Sequence, residues 1–212
     1  PTTPELERWA GRGAVVFDRA FTHAPWTLPA HASLFTGNDP IHHGCNWNAP
    51  VPPGAALLAE RLHGAGWATM AVTGGGYLGP EFGLLQGFSR AAWWEGGEGS
   101  RTDVGDDLGS GVAAAVEWLQ ARAAEPFFLF FHTYETHAPY RPRSPWAERW
   151  GGEAAATAVA TTQALEARPE DGFVVHQRFQ VRDLATGGSF RDATAEDLPV
   201  IETLYDSGVA MA

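Results

Sequence analysis

Residues 23–44 concentrate hydroxyls, imidazoles and turn formers in one short stretch: His-Ala-Pro-Trp-Thr-Leu-Pro-Ala-His-Ala-Ser-Leu-Phe-Thr-Gly-Asn-Asp-Pro-Ile-His-His-Gly. Pro29 suits the first turn of a helix, Ala30 to Phe35 are short-helix material, and Gly37 is a natural stop. Thr27 then falls at the helix N-terminus, where unpaired N–H groups and the macrodipole stabilise an anion. A hydroxyl there is placed to attack a phosphoryl or sulfuryl centre while the helix end holds the nonbridging oxygens. His31 lies one turn further on, close enough to help orient that anion. Thr27 also suits a plain N-cap, the commonest use of Ser or Thr before a Pro-containing helix start. The residues alone leave both readings open.

The elements that must hold this loop follow from periodicity. Thr3-Pro4 reads as an N-cap and first turn, with Leu6 and Trp9 as an apolar side and Gly11 or Gly13 as the end. Residues 13–17 predict a brief buried strand. Residues 55–63 predict a helix carrying Leu58 and Leu62, with Gly64 and Gly66 as stops, and residues 67–72 a strand that ends at Gly74-Gly75-Gly76. A helix over about 107–122 has Leu108, Val112, Val116 and Leu119 on one stripe. Pro126 ends it, and Phe127-Phe128-Leu129-Phe130-Phe131 is an apolar run suited to a parallel strand covered on both faces. Residues 151–195 read as a less regular insertion: 154–167 as a helix, 172–184 as a strand or hairpin, and nothing functional on either. Residues 196–212 predict a helix with Leu198, Ile201, Leu204 and Tyr205 on one side.

Helix and strand alternating across short Gly-marked joints imply an α/β chain with a mainly parallel sheet. Chemistry in such sheets gathers beyond the carboxyl ends of the strands. The loops after Phe17 and Phe131 are therefore the places to look.

Composition narrows the function classes. The 212 residues carry 25 acidic groups against 14 basic ones, all Arg, for a net charge of −11. Nucleic acid and anionic membrane surfaces both need a cationic footprint, so neither is an expected partner. The single cysteine, Cys45, excludes an internal disulfide framework and a Cys-based zinc site. No apolar run approaches the roughly 18 residues that span a bilayer. An opening of Pro-Thr-Thr-Pro suggests an excerpt of a longer chain.

Taken together, these motifs resemble the sulfatase branch of the alkaline phosphatase superfamily. Its signature places Cys or Ser, then x-Pro-x-Arg, then a short helix closing on Thr-Gly, with Pro-x-x-His-Gly downstream. Thr27-Leu28-Pro29-Ala30-His31, Ser33-Leu34-Phe35-Thr36-Gly37 and Pro40-Ile41-His42-His43-Gly44 follow that order. Thr3-Pro4-Glu5-Leu6-Glu7-Arg8-Trp9 is similar to the family's Thr-Pro-Asn-Leu-Asp-Arg-Leu helix. Residues 66–72 and 82–88 resemble its Gly-Tyr-x-Thr strand and the loop after it, and residues 126–140 its Pro-Phe-Phe strand and His-x-Pro-Tyr loop. The resemblance runs in order over about residues 3–145. It implies a three-layer αβα sandwich of alkaline phosphatase type, with residues 1–212 as a partial catalytic domain lacking elements at both ends.

The departures shape the chemistry that the resemblance implies. Family enzymes convert the signature Cys or Ser to formylglycine, and Thr27, with a methyl on Cβ, cannot become that aldehyde. Direct attack by Thr27 is implied instead, as in phosphodiesterase relatives that use Thr. His31 stands at the signature Arg, and a chain without lysine has no counterpart of the lysines aimed at sulfate. His137 keeps the place of the family's ester-contacting His. A divalent metal (Ca, Mg, Zn or Mn) is also implied, with Thr27 as the metal-bound nucleophile and the carboxylate ligands outside this chain. Metal binding would let a group with an alcohol's pKa act near neutrality. Asp18 reads as a turn residue and Asp206 as structural. Relatives are often exported or membrane-tethered.

The expected partner is a small-molecule or glycan sulfate or phosphate ester. Two rivals to hydrolysis remain: a non-catalytic protein of the same fold that binds an anionic glycan or lipid headgroup, and a transferase of a phosphoryl-linked group. His23, His31, His42 and His43 lack the spacing of a zinc motif; His43 reads as a loop-fixing group and His132 as a satisfied core residue. Trp93-Trp94 and Trp146 with Trp150 suit either stacking on a substrate ring or packing in a core or lid.

Overall fold

The run Phe127–Phe131 (β3) alternates its side chains between two apolar layers, and that alternation organises the sheet. In this computed structural model β3 pairs in parallel with Ala68–Thr73 (β1), which pairs in parallel with Arg90–Trp93 (β2), giving the order β2-β1-β3. Phe128 and Phe130 pack against the cluster of Leu28, Ala32 and Phe35 from the helix Thr27–Thr36 (α2). Leu129 and Phe131 pack on the opposite side, with Trp94 and with Ala115 and Trp118 from the helix Leu108–Gln120 (α5). The result is helix, parallel sheet, helix. The structure describes residues 3–46, 49–94, 108–142, 144–164 and 177–211.

The buried face of α5 differs from the expected stripe. Gly111, Ala115 and Trp118 face inward, while Val112 and Val116 are exposed. A small residue lets the helix approach the sheet: a Cβ at Gly111 would lie 2.8 Å from Trp94 Cζ3 and 3.2 Å from Val72 Cγ1. Close approach outweighs side-chain hydrophobicity here. The residue 107 proposed as the helix start lies outside the described residues.

Two short helices complete this layer. Pro40–His43 (α3) is capped by Asp39, whose carboxylate accepts from the His42 N–H at 3.1 Å. Leu58–Gly64 (α4) begins where Glu60 accepts from the Leu57 N–H at 2.8 Å. Its buried residue is Ala59, next to the buried cap residue Leu57; Leu58 is exposed, so the expected Leu58–Leu62 stripe does not face the core.

One expected strand is absent. Residues 13–17 form no ladder, and Val15, Val16 and Phe17 are exposed. An apolar run becomes a strand only where a neighbour takes its backbone N–H and C=O groups, and β1 pairs only with β2 and β3 among the described residues. The helix Pro4–Ala10 (α1) forms as expected and ends at Gly11, but Leu6 and Trp9 are exposed. Asp18 sits in a turn, as expected.

The chain divides into two compact units, Phe17–Thr133 and Pro1–Val16 with Tyr134–Ala212. In the second unit, the helix Trp146–Ala156 (α6) precedes the strand Ala158–Ala164 (β4). Of the helix expected over 154–167, residues 154–156 do close α6, but 158–164 are this strand instead, and 165–167 lie outside the described residues. Gln177–Asp183 (β5) supplies the antiparallel ladder that holds β4 extended, and Arg191–Asp192 (β6) adds a short third strand. The expected element over 172–184 is β5, with residues 172–176 outside the described set. The helix Leu198–Met211 (α7) packs Ile201 and Leu204 against Ala160 and Val181, while Leu198 and Tyr205 are exposed. Trp146 and Trp150 stack on each other at 5.6 Å.

Candidate functional site

The N-terminal end of α2 is set by a sharp change in backbone. Trp26 is extended at φ −138° and ψ 140°, and Thr27 is the first helical residue. Trp26 thus occupies the cap position and has no side-chain capping bond, so the Thr27 hydroxyl is not the N-cap. The first N–H groups of an α-helix have no intrahelical partner, and the Thr27 hydroxyl sits among them. The far end of α2 closes at Gly37, left-handed at φ 72°, whose N–H donates to the Ser33 carbonyl at 2.9 Å. Leu28, Pro29, Ala32, Ser33 and Phe35 are buried, which anchors the helix and thereby Thr27.

His31 turns back toward the start of its own helix. Its Nδ1 donates to the Thr27 carbonyl at 2.8 Å. Its ring meets Phe130 edge-on at 5.7 Å and His132 at 5.4 Å, so two imidazoles converge where β3 ends. His132 is half-buried, and its N–H donates to the Val72 carbonyl at 2.8 Å. The expectation of a plain core residue is corrected: His132 lies one residue beyond the strand, beside His31. The position alone was the usable signal, because it follows the carboxyl end of a buried parallel strand.

Behind the helix, a buried bond ties α2 to α3. His43 Nδ1 accepts from the Cys45 N–H at 3.0 Å, so its Nε2 carries the proton that is donated to Ser33 Oγ at 3.0 Å. Burial holds the His43 pKa below its usual value, which keeps the ring neutral and suits it to fixing the loop. On the exposed side, His42 Nδ1 donates to Asp39 at 2.7 Å, and this bond lowers the Asp39 pKa. A cleft of about 520 Å³ runs beside α2, lined by Phe21, Thr22, His23, His31, Ser33 and Leu34.

Thr27 and His31 are joined through the Thr27 carbonyl. His137 belongs to the other compact unit and is exposed there. Its Nδ1 donates to the Ala138 carbonyl at 2.7 Å, and its ring meets Tyr134 edge-on at 5.5 Å. Trp94 is buried in the α5 layer, which accounts for it as packing. Trp26 has a buried indole N–H with no hydrogen-bond partner among the described residues, and its ring meets Tyr77 at 6.1 Å.

A divalent cation wants several hard oxygen ligands. Among the described residues no group of three or more His, Cys, Asp or Glu side chains converges as a metal site. The side-chain contact at Thr27 is the His31 imidazole on its carbonyl, with no carboxylate beside it among the described residues, so these residues do not by themselves fit such an ion. Among them, also, no helix is long and apolar enough to cross a membrane.

A parallel sheet between helices, with a hydroxyl at the start of one helix, is an α/β fold of alkaline phosphatase type. The chain belongs to the sulfatase family, which it matches over residues 1–168. Among solved structures it is similar to the C-terminal periplasmic domain of EcEptC from Escherichia coli in complex with Zn, with 17% identity and a TM-score of 0.54. That likeness covers 98% of this chain and 49% of the other, so the chain spans about half the length of that relative. No curated protein matches the chain by sequence.

Proposed function

We propose that this chain carries the nucleophile loop of a sulfatase-fold ester hydrolase, in which the Thr27 hydroxyl attacks a phosphate or sulfate ester directly. The observation that supports this most is the place of Thr27 as first residue of α2, with its hydroxyl uncommitted to capping and its carbonyl held by His31. In the first step a bond forms from Thr27 Oγ to phosphorus or sulfur and the bond to the ester oxygen breaks. Thr27 gives up its proton and the departing alcohol takes one up. Water then cleaves the threonyl ester, regenerates the hydroxyl and releases a phosphate monoester from a diester, or inorganic sulfate from a sulfate ester. The N–H groups at the start of α2 hold the nonbridging oxygens, His31 fixes the attacking residue, and His137 contacts the ester. A divalent cation used by the full protein would take its carboxylates from outside the described residues. A phosphate diester suits this apparatus better than a sulfate, because Thr27 cannot become formylglycine and no lysine is present.

The test is Thr27→Ala in the full-length protein, assayed on phosphate diesters and then on sulfates. Turnover should fall by a factor on the order of 10⁴ with the circular dichroism spectrum unchanged. Acid-quenched wild type should carry the phosphoryl or sulfuryl mass on the peptide that contains Thr27. Retained turnover in the variant removes Thr27 from the role. An added alcohol that appears in the product would assign the transferase reaction instead. A second reading, non-catalytic binding of an anionic glycan or lipid headgroup, is favoured by His31 at the signature Arg and by the lack of lysine. Unmeasurable hydrolysis with metal present would support it.

A further inference from the structure

We propose that the cleft between β5, β6 and the start of α7 binds an oxyanion, a phosphate or sulfate group, through Arg182. The cleft has a volume of about 410 Å³, and its polar lining includes Arg182, Asp183, Ser189, Arg191 and Asp197. Two cations and two anions face it, and among the described residues Arg191 is the cation held in an ion pair. Arg191 donates from Nη1 and Nη2 to the two Asp197 oxygens at 2.8 Å and 2.7 Å. The same carboxylate accepts from the Thr194 N–H and hydroxyl, which leaves Asp197 saturated. Asp183 accepts from the Ala185 N–H at 2.8 Å and closes its own turn.

Arg182 is the remaining charge. Its guanidinium lies over the Phe190 ring at 5.2 Å, which holds its plane. Its Nε is buried and has no hydrogen-bond partner among the described residues. A buried charged donor without an acceptor is costly, and the planar fork of Arg matches two oxygens of a phosphate or sulfate. Ser189, which also lines the cleft, offers a hydroxyl donor to a third oxygen. Ring and turn preorganise the arginine.

The experiment is calorimetric titration of the full-length protein with inorganic phosphate, inorganic sulfate and phenyl phosphate, against sodium chloride at equal ionic strength. Saturable binding is expected, weakened tenfold or more in Arg182→Gln and less in Arg182→Lys, and unchanged in Arg61→Gln. Phenyl phosphate binding as well as the free ions marks the group as one carried on an ester; weaker binding marks it as a free ion, and both sources satisfy the proposal. No saturable binding by native protein, an equal response to chloride, or undiminished affinity in Arg182→Gln overturns it. Should Arg182→Gln fail to fold, undiminished affinity in Arg182→Lys overturns it, because a point charge lacks the fork.

Discussion

The parallel sheet and the antiparallel sheet use aromatic residues in opposite ways. In the first, Phe35 is buried on α2, with Phe130 at 4.9 Å, Phe88 at 6.0 Å and Phe128 at 6.5 Å, all edge-on. In the second, Phe179 on β5 is 39% exposed and Phe190 serves as a platform for an arginine. A sheet covered by helices on both faces stores its stability in apolar contact. A short antiparallel sheet with its main apolar cluster against α7 keeps charge within reach of solvent, where it can meet a ligand. The nucleophile candidate is mounted on the first kind of scaffold, and the arginine cleft on the second.

The largest test of that difference is a pair of truncations. Phe35→Ala should cost about 3–5 kcal/mol in urea unfolding, and Phe179→Ala well under half as much. Similar losses would erase the distinction between the two sheets. Gly111→Val comes next, because the added atoms meet Trp94 and Val72 at contact distances too short to keep. A loss of about 1–3 kcal/mol is expected by thermal melting, and an unchanged melting temperature would mean that α5 can shift away from the sheet.

Buried and exposed polar pairs extend the same comparison. Ser33→Ala removes the buried hydroxyl that accepts from His43 Nε2 and should cost about 1–2 kcal/mol in chemical denaturation. Arg191→Gln, at an exposed pair, should cost less. The reverse order would make the antiparallel sheet the more tightly coupled region.

Acid separates the two regions with the smallest effect. The His43 pKa is lowered in the folded protein, so below about 6.5 the unfolded chain takes up a proton that the folded one resists. Stability from this group is present above that pH and is lost as pH falls toward the folded value. Asp197 behaves later: its pKa lies well below 3.8 because Arg191 and Thr194 bind the carboxylate, so its contribution is kept until pH falls below that value. Hydrogen exchange at pH 7, 5.5 and 3.5 should show protection around α3 declining first. Loss around Arg191 at pH 5.5, with α3 intact, would contradict the assignment.

How far the sequence carries these regions follows from the same physics. The apolar runs of β1 and β3 were legible because a strand buried on both faces needs no alternation. Gly37 and Pro29 marked α2 because each does something only that residue type does well. Residues 13–17 misled because an apolar run states a preference for burial without naming the partner that would supply it. Ala158–Ala164 misled in the opposite sense: alanine favours a helix locally, and the ladder with β5 overrides it. At the site, Thr27 and His31 stood out by spacing. His132 was hidden by five apolar residues before it, and only the pairing of β3 with β1 shows that the strand has ended.

The bond from His31 to the Thr27 carbonyl has one more consequence. Nδ1 is spent on that carbonyl, so Nε2 is the one ring nitrogen His31 has left to offer an incoming group. The same bond ties the imidazole to the backbone of the residue that carries the hydroxyl. Nucleophile and imidazole therefore form one rigid piece, and neither can be reoriented without the other.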